Sequence, residues 1–235
     1  MIRIGNPEFT NGEVRSHAQS VVWLPYSSLD IYEYALRFLK ENKSPETLDV
    51  GKSSRQKHKE FLRHSKTYHT IDINDFGDYP SIVADLCDPQ LKKKLKNRYD
   101  LIICSSILEH VYQPFQASEN LLALLKPNGL IIGNVPFMFP RHCPEDLQYQ
   151  DFWRFTPEAI GYLFREASYK YCVPTRGRVA SAAIVLTTSY KYVFEKNFPK
   201  VSRGLSNLRS RGRHSYQTSS IDFLISKRPL IDLNS

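Results

Sequence analysis

The stretch from Tyr99 to Pro136 constrains the fold of this chain more than any other part of the sequence. It begins with an apolar run, residues 101–104, which is typical of a central parallel strand covered by helices on both faces. Small and polar residues follow, and apolar residues then recur at helical spacing up to the turn signal at 127–129, after which a second apolar run begins. The pattern predicts one βαβ unit, with a ligand-facing loop at the end of its first strand.

The rest of the chain continues this alternation of strands and helices. Further strands are predicted at 47–51, 66–73, 81–86, 170–173 and 221–226. Helices are predicted at 27–42, with Ser28 as the N-cap, at 56–64, and at 156–168, with Thr156 as the N-cap. The alternation predicts an α/β protein with a single doubly wound, mostly parallel sheet of seven strands.

Composition agrees with one domain, because 235 residues with 41% hydrophobic content can bury a single α/β core. The first residues are polar and charged, and the longest uncharged runs are too short to span a bilayer, so we predict a cytoplasmic protein. The four cysteines form no C-x-x-C pair, and no clustered histidines complete a zinc site, so we interpret the cysteines as reduced thiols and predict no metal.

The positive charge is concentrated near the C-terminus. Residues 170–228 contain twelve lysines and arginines and two acidic residues, a net of +10, whereas the whole chain carries +8. We therefore divide the chain into an N-terminal arm and helix (1–46), a core (47–175), a basic insert (176–219), and a closing strand and tail (220–235). The insert either contacts an anionic surface, such as a membrane at which the protein would be peripheral, or is a solvated segment.

Two runs of residues resemble class I S-adenosylmethionine-dependent methyltransferases. The first, YDLIICSSILEH followed by LLKPNG, is similar to their region between the fourth and fifth strands, which often carries Leu-Glu-His and then L-K-P-G-G. The second, VPFMF to DFWRFT with His142 between, is similar to methyltransferases of bacterial surface-polysaccharide gene clusters. Together the resemblances cover about residues 48–168, and they imply the Rossmann-like methyltransferase fold.

The resemblance also implies a cofactor, S-adenosyl-L-methionine, bound at the carboxyl ends of successive strands. By this comparison Asp72 would accept both ribose hydroxyls. Asp85 would accept the adenine amino group, and the Leu86 amide would face a ring nitrogen. The other residues implied to contact the cofactor lie around its amino-acid portion: Asp49, Gly51, Cys104 and Ser105.

The glycine-rich loop departs from the family pattern D-x-G-x-G-x-G. This chain keeps Gly51 but has Ser53 and Arg55 at the next two glycine positions. The departure leaves open a non-catalytic, methyltransferase-like binding module. A third reading, an RNA methyltransferase, rests on the basic run RGLSNLRSRGRH, but the sequence shows no N-P-P-Y-type motif and no recognisable RNA-binding module, which argues against nucleic acid.

The second resemblance implies a small-molecule or glycan acceptor, methylated on a sugar hydroxyl by in-line transfer. A hydroxyl acceptor benefits from a nearby base, and histidine suits that task at neutral pH. We predict that His142 is this catalytic base and that His110 has a structural role. Trp153 and Arg154 either line the acceptor pocket or pack and form ion pairs.

Overall fold

The computed structural model describes residues 21–26, 28–51, 56–142, 149–176, 181–182 and 218–230. Its strands are β1 (Val21–Trp23), β2 (Glu46–Val50), β3 (Thr67–Asp72), β4 (Ile82–Val83), β5 (Tyr99–Ser105), β6 (Leu125–Pro136), β7 (Tyr169–Pro174) and β8 (Ser220–Ser226). Its helices are α1 (Ile31–Glu41), α2 (Gln56–His64), α3 (Leu91–Leu95), α4 (Pro114–Leu124) and α5 (Pro157–Leu163), with a 3₁₀ turn at Leu108–His110.

The strands form one sheet in the order β1-β7-β8-β6-β5-β2-β3-β4. All described pairings are parallel except those of β8, which is antiparallel to both β6 and β7. The predicted mostly parallel, doubly wound sheet is therefore confirmed. The direction of strand succession reverses between β2 and β5, and in open α/β sheets ligands bind outside the carboxyl ends of the strands at such a point.

The number of strands differs from the prediction, because the sheet has eight and not seven. The additional strand is β1, whose residues Val21, Val22 and Trp23 pair with Lys170, Tyr171 and Cys172 of β7. A three-residue apolar run is too short to be recognised as a strand from its sequence, and it becomes one because the edge of β7 supplies backbone partners.

The predicted βαβ unit is present as β5, α4 and β6. Leu101 and Ile103 pack on one face of the sheet with α1, whereas Ile102 and Cys104 pack on the other face with α4. Both faces of β5 are therefore covered, as the continuous apolar run predicted. The predicted turn at 127–129 lies inside β6. The pairing of β5 with β6 shifts between Tyr99 and Leu101 of β5, and β6 carries three extra residues at that point.

Several predicted element ends are wrong by a few residues. Helix α1 is capped by Asp30, which accepts from the Tyr32 and Glu33 amides, whereas Ser28 donates its hydroxyl proton to the Pro25 carbonyl. Helix α5 has the predicted Thr156 cap but ends at Leu163, because tighter turns follow before β7. Strand β4 is only two residues long, because residues 85–88 leave the sheet in a turn.

The described helices are short, and none of them is both long enough and apolar enough to cross a membrane.

Candidate active site

The carboxyl ends of β2 and β3 lie side by side, next to the reversal point between β2 and β5. Val50 pairs with Ile71, so the next residues, Gly51 and Asp72, are also neighbours. Gly51 has φ +76° and donates its N–H to the Ile71 carbonyl over 2.8 Å. The positive φ favours glycine, and a Cβ atom there would also lie 2.3 Å from Cδ1 of Ile107, in the loop after β5, so that side chain would have to move.

Asp72 is half-buried at the end of β3. Its Oδ1 accepts a hydrogen bond from the Asn74 amide over 3.0 Å, and no hydrogen bond among the described residues uses Oδ2. Burial raises the pKa of the Tyr79 phenol above its usual range, and the nearby charge of Asp72 raises it further. One carboxylate oxygen of Asp72 is therefore available to a ligand at this edge of the sheet.

Asp49 is buried inside β2, where it organises its neighbours. Its Oδ2 accepts from the Tyr68 hydroxyl over 2.7 Å and lies 2.9 Å from Nδ1 of His58. Burial and then the Asp49 charge raise the pKa of Tyr68 above its usual range. Oδ1 of Asp49 is buried and has no hydrogen-bond partner in the described part of the chain. His58 was not singled out in the sequence, because nothing in its helix marks a histidine that faces a strand carboxylate.

Asp85 and Leu86 follow β4 in a tight turn. The Asp85 carboxylate already accepts two hydrogen bonds, from the Cys87 amide over 2.7 Å and from the Tyr112 hydroxyl over 2.9 Å. The Leu86 carbonyl accepts from the buried side chain of Asn120, and no described hydrogen bond uses the Leu86 amide. The Leu86 amide is thus available to a ligand, while Asp85 holds the loop to Tyr112.

Cys104 and Ser105 stand at the end of β5. Cys104 is fully buried, and burial raises the pKa of its thiol above the usual range. Its carbonyl oxygen packs against Gly133, and a Cβ atom at Gly133 would lie 2.1 Å from that oxygen. Ser105 is the last residue of the strand, and its hydroxyl lies 2.7 Å from that of Tyr32. Ser105, rather than Cys104, therefore occupies the carboxyl end of β5.

A second group of polar residues lies next to the loop after β5. Glu109, only 1% exposed, has Oε1 3.9 Å from Nε2 of His110 and 3.7 Å from Nε2 of His142. The two imidazole rings meet edge to face with centroids 5.2 Å apart. The sequence did not single out these three residues as a group of potential metal ligands, because only the fold joins the loop after β5 to the segment after β6.

Asp151 and Arg154 hold His142 in place. The Asp151 carboxylate accepts from the His142 amide over 2.8 Å and lies 3.4 Å from its Nδ1. Arg154 binds both oxygens of Asp151, at 2.5 and 2.7 Å, and donates to the carbonyls of Phe139 and Pro140. The hydrogen bonds from the Arg154 guanidinium hold the pKa of Asp151 well below its usual range.

The roles of Trp153 and Arg154 were left open by the sequence. Arg154 forms the ion pair with Asp151, and Trp153 donates its indole N–H to the Val111 carbonyl while keeping 40% of its surface exposed. Ser53, Arg55, Cys143 and nearly all of the predicted basic insert lie outside the described residues.

Residues 25–177 match the family model described as a methyltransferase domain. The chain belongs to this methyltransferase family. A comparison of this methyltransferase with curated proteins finds no match.

Solved structures agree on the fold. A SAM-dependent methyltransferase from Archaeoglobus fulgidus is 14% identical with a TM-score of 0.51, and the match covers 83% of this chain and 92% of that one. A phosphoethanolamine N-methyltransferase 2 from Haemonchus contortus, solved with phosphomonomethylethanolamine and S-adenosylhomocysteine, is 13% identical with a TM-score of 0.50. That match covers 84% of this chain and 52% of the nematode enzyme. At these identities the likeness confirms the Rossmann-like methyltransferase fold alone.

Proposed function

We propose that this methyltransferase transfers the methyl group of S-adenosyl-L-methionine to a hydroxyl of a sugar, glycan or glycolipid. The observation that carries the proposal is that Gly51 and Asp72 each follow one member of the last pair of β2 and β3, Val50 and Ile71, and so lie next to the reversal point between β2 and β5. A glycine turn allows the backbone to approach a ligand closely, and the neighbouring carboxylate has an oxygen available for ribose hydroxyls.

The remaining cofactor contacts follow the same edge of the sheet. The Leu86 amide would face the adenine ring, while Asp85 fixes the loop through Tyr112 and keeps lone pairs for the amino group. Ser105 and the carbonyl groups near it would receive the ammonium group, with Cys104 one residue deeper in β5. The buried Oδ1 of Asp49 would accept from the loop after β2 or from a water molecule there.

When bound, S-adenosyl-L-methionine supplies the methyl group and a sulfur leaving group, so the protein mainly aligns the acceptor. In the transfer, the acceptor oxygen forms a bond to the methyl carbon as the carbon–sulfur bond breaks, and sulfur keeps the electron pair. The hydroxyl proton must leave the oxygen. We assign this proton to Nε2 of His142.

The surroundings of His142 suit this assignment. Asp151 lies beside Nδ1 and fixes the backbone of the histidine, and Arg154 fixes Asp151 in turn. The Glu109 carboxylate, 3.7 Å from Nε2, would stabilise the imidazolium that forms when the proton arrives. His110 has a different environment, because its Nδ1 lies 2.6 Å from the Gln150 carbonyl and links two loops.

A glycan acceptor is supported by two features. Residues 151–156 resemble the corresponding run in methyltransferases of surface-polysaccharide gene clusters. Two exposed aromatic residues also lie beside the His142 region, Phe152 and Trp153, whose amides donate to the Glu109 carbonyl. Flat, half-exposed rings of this kind offer apolar surface to one face of a sugar ring while leaving its hydroxyls accessible.

The test is release of S-adenosylhomocysteine from S-adenosyl-L-methionine in the presence of a panel of nucleotide sugars, oligosaccharides and lipid-linked sugars. The proposal expects acceptor-dependent release with at least one glycan and none with the Asp72→Ala variant. Release that depends on RNA or on an amine acceptor, and not on any glycan, would contradict it.

A non-catalytic binding module is the second candidate. It is favoured by Ser53 and Arg55, which replace the second and third glycines of the family pattern. Such a module would bind the cofactor or its product without acceptor-dependent turnover, so the same assay, combined with a binding measurement, separates the two functions.

A further inference from the structure

We infer that Glu109, His110 and His142 form a binding site for a divalent transition-metal ion such as Zn²⁺. One ligand atom from each residue lies within 4.8 Å of the other two. Tetrahedral zinc with bonds of about 2.0–2.1 Å places its ligands roughly 3.4 Å apart. The Oε1 atom of Glu109 lies 3.9 Å from Nε2 of His110 and 3.7 Å from Nε2 of His142, so these two distances need to shorten by only a few tenths of an ångström.

His110 is oriented as a metal ligand would be. Its Nδ1 lies 2.6 Å from the Gln150 carbonyl oxygen, which can only accept, so Nδ1 carries the proton and donates it. The lone pair of the neutral ring is then on Nε2, the atom that faces Glu109. A ligand histidine that donates its other N–H to a backbone carbonyl is the usual arrangement at protein metal sites.

His142 has a comparable second partner. Its Nδ1 lies 3.4 Å from the Asp151 carboxylate, and its Nε2 faces Glu109. Arg154 fixes Asp151 through two hydrogen bonds. A carboxylate behind an imidazole increases the basicity of the ligating nitrogen and fixes the ring orientation.

The environment of the Glu109 carboxylate is a second observation that points to a cation, independent of the distances between the ligand atoms. This carboxylate is buried, and Oε2 has no hydrogen-bond partner among the described residues. A buried carboxylate oxygen without a partner is costly, and a bound cation removes that cost. The hydrogen bond to Asp151 raises the pKa of Arg154, and the nearby Glu109 charge contributes to the increase. Every described hydrogen bond of the Arg154 guanidinium nevertheless goes to Asp151 or to backbone carbonyls, and none goes to Glu109.

The backbone holds these ligands firmly. Glu109 and His110 belong to the 3₁₀ turn, and the Glu109 carbonyl accepts from the amides of Phe152 and Trp153. The same contacts bring the segment carrying Asp151 next to the turn, and Arg154 then fixes the backbone before His142. Ligands on such supports lose little conformational freedom when an ion binds.

Two imidazoles and one carboxylate favour Zn²⁺, Fe²⁺ or a similar ion over Mg²⁺, which prefers oxygen ligands. Three protein ligands leave at least one position for water or a substrate oxygen. The inference goes beyond the proposed function, and its consequence for catalysis rests on that function. Nε2 of His142 cannot hold an ion and accept a proton at the same time, so in an ion-bound chain His142 would be a ligand, and the ion would supply the acidity that lets a coordinated acceptor hydroxyl give its proton to solvent.

The experiment is equilibrium dialysis of the chelator-treated full chain against Zn²⁺, with bound metal measured by atomic emission. The site predicts one tightly held ion that is lost, or weakened roughly 10-fold or more, in Glu109→Gln and His142→Ala. His64→Ala, at the end of α2, is the matched control and should retain the ion. The thermal unfolding temperature should rise with Zn²⁺ in the wild type and in His64→Ala, but not in the two site variants.

Each variant is also checked for S-adenosylhomocysteine binding, which depends on other residues and shows that the chain is folded. A wild-type chain that retains no zinc would overturn the inference, and so would retention of zinc at wild-type affinity by both folded site variants. Neither result would bear on the proposed methyl transfer, because cofactor binding and turnover are measured separately.

Discussion

The position of a Cβ atom at Gly51 lies 2.3 Å from Cδ1 of Ile107, so any other residue in the turn after β2 would force the Ile107 side chain in the loop after β5 to move. Both loops belong to the candidate cofactor site. Their contact couples the shape of the site to the identity of one residue.

Gly51→Ala should therefore weaken S-adenosylhomocysteine binding by roughly 10-fold or more, since a cost of about 1.4 kcal/mol is tenfold in affinity. Gly77→Ala is a matched control, because Gly77 also has positive φ but has no atom within 4 Å of its Cβ position. Calorimetry on both variants separates backbone strain from the clash. Adding Ile107→Val, which removes Cδ1, should restore much of the affinity; equal losses in the two single variants would contradict this account.

Asp72→Ala should weaken S-adenosylhomocysteine binding more than Asp75→Ala. The controls are closely matched, because Asp72 accepts from the Asn74 amide and Asp75 accepts from the Gly77 amide in the same way. Loss of the charge-assisted bonds to ribose hydroxyls should cost about 1.5–3 kcal/mol. Equal effects in a titration would show that the ribose does not bind at the end of β3.

His142→Ala should reduce turnover by roughly 10²–10⁴-fold while leaving cofactor affinity nearly unchanged. Either role of His142, as base or as metal ligand, leads to this result. His110→Ala should instead lower stability or cofactor binding together with the rate, because it removes the link to Gln150. Steady-state kinetics and binding on both variants test this, and wild-type turnover in His142→Ala would remove the residue from the mechanism.

The basic insert, residues 176–219, should bind anionic vesicles, and the binding should weaken steeply as salt shortens the Debye length to about 8 Å. Replacing Arg209, Arg211 and Arg213 by serine should abolish it and spare cofactor binding. Flotation assays at several salt concentrations measure the effect. Tight, selective binding to RNA in preference to vesicles would favour the RNA methyltransferase alternative instead.

The sequence predicted those parts of the fold in which local pattern and packing agree. Residues 101–104 were recognised as a central strand because both faces are apolar, and α2 was predicted at its observed bounds. By contrast, β1 depends on the edge of β7, and the choice of Asp30 over Ser28 as a cap depends on where the helix starts in three dimensions. Neither is encoded within a short window of sequence.

The candidate site shows the same limit. Strand-end residues such as Gly51 and Asp72 could be placed by a family resemblance, since parallel strands bring their carboxyl ends to one edge. The contact of Glu109 with His142 joins positions 33 residues apart through the hydrogen bonds of Asp151 and Arg154. Burial of the Glu109 carboxylate, which makes the cluster informative, is a property of the folded chain alone.

The central claim is that this chain binds the methyl donor at the edge defined by Gly51 and Asp72. Isothermal titration of the purified wild-type chain with S-adenosylhomocysteine tests it most directly. We predict saturable binding of one molecule per chain that is weakened roughly 10-fold or more in Asp72→Ala. Absence of detectable heat with millimolar ligand, in a chain that unfolds cooperatively, would contradict the claim.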